Sequence, residues 1–149
     1  MNLNNKNDDE FANDISNLAL MHAGCASHIL KESDTSPNIA LYHLSVIVKV
    51  SAIVLCRKHN ILFSDSDSIE LLLNKTYHVL PSYIASISKE ISFWYNDLPF
   101  EYVSIMTDDE ALDVGRKIQT FYNSIVVVYL RELGSAEVSY ADTSKIEIF

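Results

Sequence analysis

The sequence predicts an all-α fold, an up-and-down bundle of about five helices, and three observations carry that expectation. Only 3 Gly and 3 Pro occur in 149 residues, too few to build the tight turns of a sandwich or barrel. Apolar residues recur at intervals of three and four along most of the chain, the period of a helix that faces a core. Capping and breaking residues stand between the periodic stretches, at Ser36-Pro37, Pro81-Ser82, Thr107 and Gly134. The length suits one domain, with a core over about 8–134 and a polar C-terminal tail over 135–149. A chain of this size buries roughly 68–70% of the surface its unfolded form exposes, so it needs no disulfide or metal staple.

The first helix is expected to open at Asp8, Asp9 and Glu10, where carboxylates suit the positive end of the helix dipole. Phe11, Ile15, Leu18, His22, Cys25 and Ile29 then form one apolar stripe. Ser36-Pro37 opens the second helix, with Ser at the N-cap and Pro in the first turn. Its body, Ile39 to Cys56, is apolar enough to pass for a membrane span. His43, Ser45, Lys49 and Ser51 interrupt it, and a central Lys costs roughly 2.5–3.5 kcal/mol in bilayer insertion. The expectation is a helix buried in a soluble bundle, with no membrane partner, ending near Arg57-Lys58-His59-Asn60.

Ser64-Asp65-Ser66-Asp67-Ser68 is a polar lead into a short third helix carrying Ile69, Leu72, Leu73 and Tyr77. After Pro81-Ser82 a fourth helix places Ile84, Ile87, Ile91 and Trp94 on one stripe. Asn96 to Tyr102 reads as a loop, because Pro99 and the residue before it disfavour helix. Thr107-Asp108-Asp109-Glu110 is a capping box for the fifth helix, whose inner face is Leu112, Gly115, Ile118, Tyr122, Ile125 and Tyr129. Gly134 is its expected C′ residue. Lys145 to Phe149 alternates weakly and suits a short strand or a tail that docks on a partner.

Composition narrows the function. Lys and Arg total 11 against 20 Asp and Glu, giving a net charge of −9. So acidic a chain is not expected to bind DNA or RNA unaided, because phosphate recognition needs clustered cations. A mean hydropathy of +0.08 sets it apart from disordered acidic tails. Cys25 and Cys56 fit free thiols in a reducing cytoplasm, and Met1 to Asn7 lacks the apolar core of a signal peptide. A cytoplasmic protein is expected.

No catalytic constellation emerges. His22, Cys25 and His28 share a helix, but residues six apart diverge by about 120°, so one metal cannot take all three. No second Cys or His cluster completes a zinc site, and the stripe that carries Cys25 is expected to be buried. Asp65-x-Asp67-x-x-Glu70 lacks the Gly and the distant Glu of a calcium loop, and the glycines at 24, 115 and 134 build no phosphate cradle. No metal and no cofactor are expected. The candidates for contact with a ligand or partner are the aromatics Trp94, Tyr95, Phe100 and Tyr102 and the paired cations Arg116 and Lys117. Arg57-Lys58 is the other cation pair.

Three landmarks together resemble the HEPN domain (higher eukaryotes and prokaryotes nucleotide-binding). They are Ile39-Ala-Leu-Tyr-His-Leu44 leading a long apolar helix, Ser64 to Leu73 with its polar turn and leucine-rich helix start, and Trp94-Tyr95 followed by a Pro-containing loop and Thr107-Asp-Asp-Glu-Ala-Leu112. The resemblance implies a four- or five-helix bundle, commonly a homodimer. Some members are ribonucleases, others bind nucleotides or accompany a minimal nucleotidyltransferase. The nuclease members use an Arg followed four to six residues later by a His, the Arg to neutralise charge on phosphorus and the His to move protons. Here Arg57 precedes His59 by only two residues, and neither Arg116 nor Arg131 is followed by a His. The resemblance therefore implies a non-catalytic binding module that contacts a nucleotide or a nucleotidyltransferase-type partner. The alternative is an acidic inhibitor (antitoxin, immunity or anti-defence protein) that blocks a basic nuclease.

Overall fold

The computed structural model of the chain describes residues 3, 6–31, 37–97, 107–133 and 146. Every regular element among them is helical, and the architecture is an all-α bundle. The elements are α1 (Asp8–Lys31), α2 (Pro37–Lys58), α3 (Ile69–Thr76), α4 (Ser82–Ser92), α5 (Asp108–Tyr122) and α6 (Val128–Leu133). Single π-helical turns extend α4 over Phe93–Asp97 and join α5 to α6 over Asn123–Val127. The predicted fifth helix is thus one rod with a bulge in it. Ser36, the loop beyond Asp97 and Gly134 lie outside the described residues.

α2 is the central strut, packed against α1, α3 and α5. It is long and apolar enough to cross a membrane, but two-thirds of the segment is buried inside the bundle. α1 runs antiparallel to it, since Asp8 meets Arg57 at one end of the pair while His22 meets His43 further along. The buried hydroxyls of Ser51 and Thr76 donate to carbonyls one turn back, at 2.8 Å each, so no polar atom of either is stranded. Asn60 closes α2 in the left-handed region at φ 56°, and the Ile61 amide donates to the Cys56 carbonyl at 2.8 Å. Ser68 caps α3 by accepting the Leu71 amide at 3.1 Å, and Thr107 caps α5 by accepting the Glu110 amide at 3.1 Å. The Thr107 cap is the one the sequence predicts, and the Ser68 cap falls at the end of the predicted polar lead.

Several faces differ from expectation. α1 buries Phe11, Ala12, Ile15, Ser16, Ala19, Ala23 and Ala26, a face turned roughly 80° from the predicted stripe at 100° per residue. Cys25 is exposed rather than buried, and Leu18, His22 and Ile29 are half-buried. The reason is steric: an alanine stripe lets α1 approach a crowded α2 that is already rich in Ile, Leu and Val. Tyr77 is exposed, because α3 ends at Thr76 in a 3₁₀ turn, and the Lys89 ammonium sits 5.3 Å from its ring. On α5 the buried positions include Ala111, Val114 and Phe121, while Leu112 is half-buried.

The core also reaches beyond residues 8–134. Leu3 is fully buried, and its amide donates to the Asp65 carboxylate at 2.8 Å. Ile146 is 1% exposed. Its backbone exchanges two hydrogen bonds of 3.1 Å with the Asn123 side-chain amide. At this residue, the predicted tail docks on the chain's own core; the rest of 135–149 lies outside the described residues.

Candidate functional site

α4 and α5 lie side by side, and Lys117 of α5 ties them. Its ammonium reaches Asp113 one turn back at 2.8 Å and Glu90 of α4 at 3.1 Å. The hydrogen bonds to Asp113 and then to Glu90 hold its pKa above the ordinary lysine value. Beside this tie opens a shallow groove of about 290 Å³, lined by Tyr83, Ser86, Ile87, Glu90, Arg116, Lys117 and Thr120. The spacing explains the lining: Tyr83, Ser86, Ile87 and Glu90 recur at three and four along α4, as do Arg116 and Thr120 on α5. Ile87 is buried and forms an apolar wall, whereas the Tyr83 ring is 68% exposed. Thr120 donates to the Arg116 carbonyl at 3.1 Å.

The groove offers an aromatic face, a guanidinium and hydroxyls beside a carboxylate. Arg116 and Lys117 are offset by Glu90 and Asp113, so the local charge is close to balanced. Such a surface suits a small aromatic ligand with one anionic group better than a polyphosphate or a nucleic-acid strand. The sequence does not single out Tyr83, because one exposed aromatic on an amphipathic helix gives no local signal.

The structure brings the predicted candidates Arg116 and Lys117 into this groove and leaves the others elsewhere. Trp94 is half-buried against the core with Phe93 edge-on at 6.0 Å, at the far end of α4. Tyr95 ties the end of α4 to α2: its hydroxyl donates to the Leu41 carbonyl at 2.9 Å. Burial pushes that phenol far above its ordinary pKa, while the residue as a whole is half-buried against the core, as Trp94 is. Phe100 and Tyr102 lie outside the described residues.

The second cation pair is also committed. Arg57 donates to the Lys6 carbonyl at 2.7 Å, pairs with Asp8 at 3.0 Å and lies 4.2 Å over the Phe11 ring. It clamps the start of α1 to the end of α2. Lys58 pairs with Glu132 at 3.2 Å.

Sequence reasoning missed two further features. Lys49, read only as an interruption of α2, donates to the Asp65 carbonyl at 2.6 Å beside a hollow of about 290 Å³ walled by Val46, Val50, Ile53 and Ile69. His22 meets neither Cys25 nor His28 but His43 of α2, with the two Nδ1 atoms 2.8 Å apart. Among the described residues no group of three or more His, Cys, Asp or Glu side chains could hold a metal ion. Cys56 is buried, and burial pushes its thiol above the ordinary value.

Comparison with protein-family models, curated proteins and solved structures finds no match for this chain. The likeness to the HEPN domain therefore rests on its three sequence landmarks. They fall on the first turns of α2, on the Ser68 cap with α3, and on the end of α4 with the Thr107 cap of α5.

Proposed function

We propose that the chain is a non-catalytic, HEPN-like binding module whose α4/α5 groove takes a nucleotide. The observation that carries the reading is the placement of Tyr83 and Arg116 in one groove, a ring for a base beside a guanidinium for a phosphate. The near-balanced charge there favours a mononucleotide over a triphosphate or an RNA strand. A cytoplasmic location and a homodimer belong to the same reading, and sedimentation tests the latter. Isothermal titration with AMP, ATP and a short RNA tests the groove. AMP binds, and Arg116→Ala and Tyr83→Ala each weaken binding about tenfold, the loss of roughly 1.4 kcal/mol. RNA cleavage that His59→Ala abolishes contradicts the non-catalytic reading.

A second reading is favoured by charge: Asp8, Asp9 and Glu10 on α1 and Asp109, Glu110 and Asp113 on α5 are exposed in a molecule of net charge −9. An acidic inhibitor of a basic nuclease would use these faces, with steering that fades at high salt. Recovery of a basic nuclease from lysate, lost at high salt, supports it. Recovery of a nucleotidyltransferase supports the first reading.

A further inference from the structure

We propose that His22 and His43 form a proton-operated latch between α1 and α2, closed when the pair shares a single proton and released when both rings are protonated. The two Nδ1 atoms are 2.8 Å apart and the ring centroids 5.1 Å, so one imidazole donates its Nδ1–H to the other's lone pair. A second proton removes the only acceptor, leaving two N–H groups opposed and two positive charges within one hydrogen-bond length. Both rings are half-buried, so either can turn outward into water.

Among the described residues, the elements packed against the pair offer no acid to offset that second charge. On α1, residues 15–30 contain no Asp, Glu, Lys or Arg, and Cys25 and His28 are the other titratable groups. α2 carries no carboxylate over Pro37–Lys58, and its cations are committed at Asp65, Asp8 and Glu132. Tyr42 packs its ring edge-on against His43, with centroids 5.5 Å apart. α5, which also packs on both helices, turns Ala111, Val114, Ile118 and Tyr122 inward while its Lys117 is engaged by Asp113 and Glu90. α3, against the other side of α2, has Glu70 exposed and Lys75 paired with Asp67 at 2.9 Å, and the π turn Asn123–Val127 has no titratable side chain. Burial and then the charge of His43 lower the pKa of His22, in the same sense as the geometry.

Release exposes an apolar seam. Leu18 and Val46 flank the pair half-buried, and Met21, Ile39 and Tyr42 are already exposed around it. The sign follows from the lowered pKa: stability is present above the unfolded value near 6.5 and is lost as pH falls below it.

Side-chain ¹⁵N NMR of the native protein, with His43→Gln and His22→Gln, tests the latch. Gln keeps a hydrogen-bonding partner in place and removes the charge of one ring, so the opposed pair of cations cannot form and the fold is retained. The expected result is a His22 midpoint below 6.5 that rises in His43→Gln, with amide protection of α1 beside the pair lost from about pH 7.5 to about pH 5 in the native protein but not in the variants. An unchanged His22 midpoint in His43→Gln overturns the proposal. So does a stoichiometric metal ion on the purified native protein that both variants lose, since the pair would then be a ligand set.

Discussion

At the scale of single residues, two groups give the clearest energetic tests. The Tyr122 hydroxyl is buried with no hydrogen-bond partner among the described residues, and burial pushes its pKa well above the ordinary phenol value. Leaving such a donor unpaired costs about 1–3 kcal/mol. Tyr122→Phe is therefore expected to raise stability by about 1 kcal/mol in urea denaturation, provided its ring keeps the same packing. Asp67 accepts the Ser64 amide at 2.9 Å and the Lys75 ammonium at 2.9 Å, and these two bonds hold its pKa below the ordinary value. A carboxylate with a lowered native pKa contributes stability above its unfolded value near 3.9 and loses it as pH falls through the native one. Melting temperatures measured from neutral pH into the acid range are expected to fall less steeply in Asp67→Asn than in the native protein. The acid limb of Asp67 lies below the latch window of His22, so the two groups are separable on one pH series.

At the scale of elements, α1 shows where periodicity misleads. Two stripes of the helix satisfy the same spacing, one of large residues through Leu18, Cys25 and Ile29 and one of alanines through Ala19, Ala23 and Ala26. Hydrophobicity favours the first, but from Ala19 onward the face packed into the core is lined by alanines, whose small side chains permit close approach of the helices. Ala19→Leu is expected to cost about 1–3 kcal/mol through overpacking, while Cys25→Ser changes stability by less than about 0.5 kcal/mol. The end of the chain shows the reverse case. A weakly alternating tail gives no sign that Ile146 fills the core, because the decisive partner is a side-chain amide at Asn123, far off in sequence. Ile146→Ala is expected to cost about 2–5 kcal/mol, as for other buried aliphatic truncations, in a denaturant titration.

For the whole molecule, fold class was readable because helix caps and breakers are local. Pro37, Ser68, Pro81 and Thr107 each stand where the structure starts a helix. The candidate site was half readable. Arg116 and Lys117 stand out as adjacent cations, but their partners Tyr83 and Glu90 lie on another helix and only packing unites the four. Tyr95 shows that aromatic density also marks helix-end packing, since its hydroxyl is taken by the Leu41 carbonyl. The proposed binding site is the α4/α5 groove, where Tyr83 and Arg116 lie together. Mapping backbone amide shifts on titration with AMP tests it most directly. Saturable shifts centred on Tyr83, Ser86, Arg116 and Thr120 are expected; no response at millimolar AMP, or shifts centred instead on the hollow beside Lys49 and Asp65, overturns the proposal.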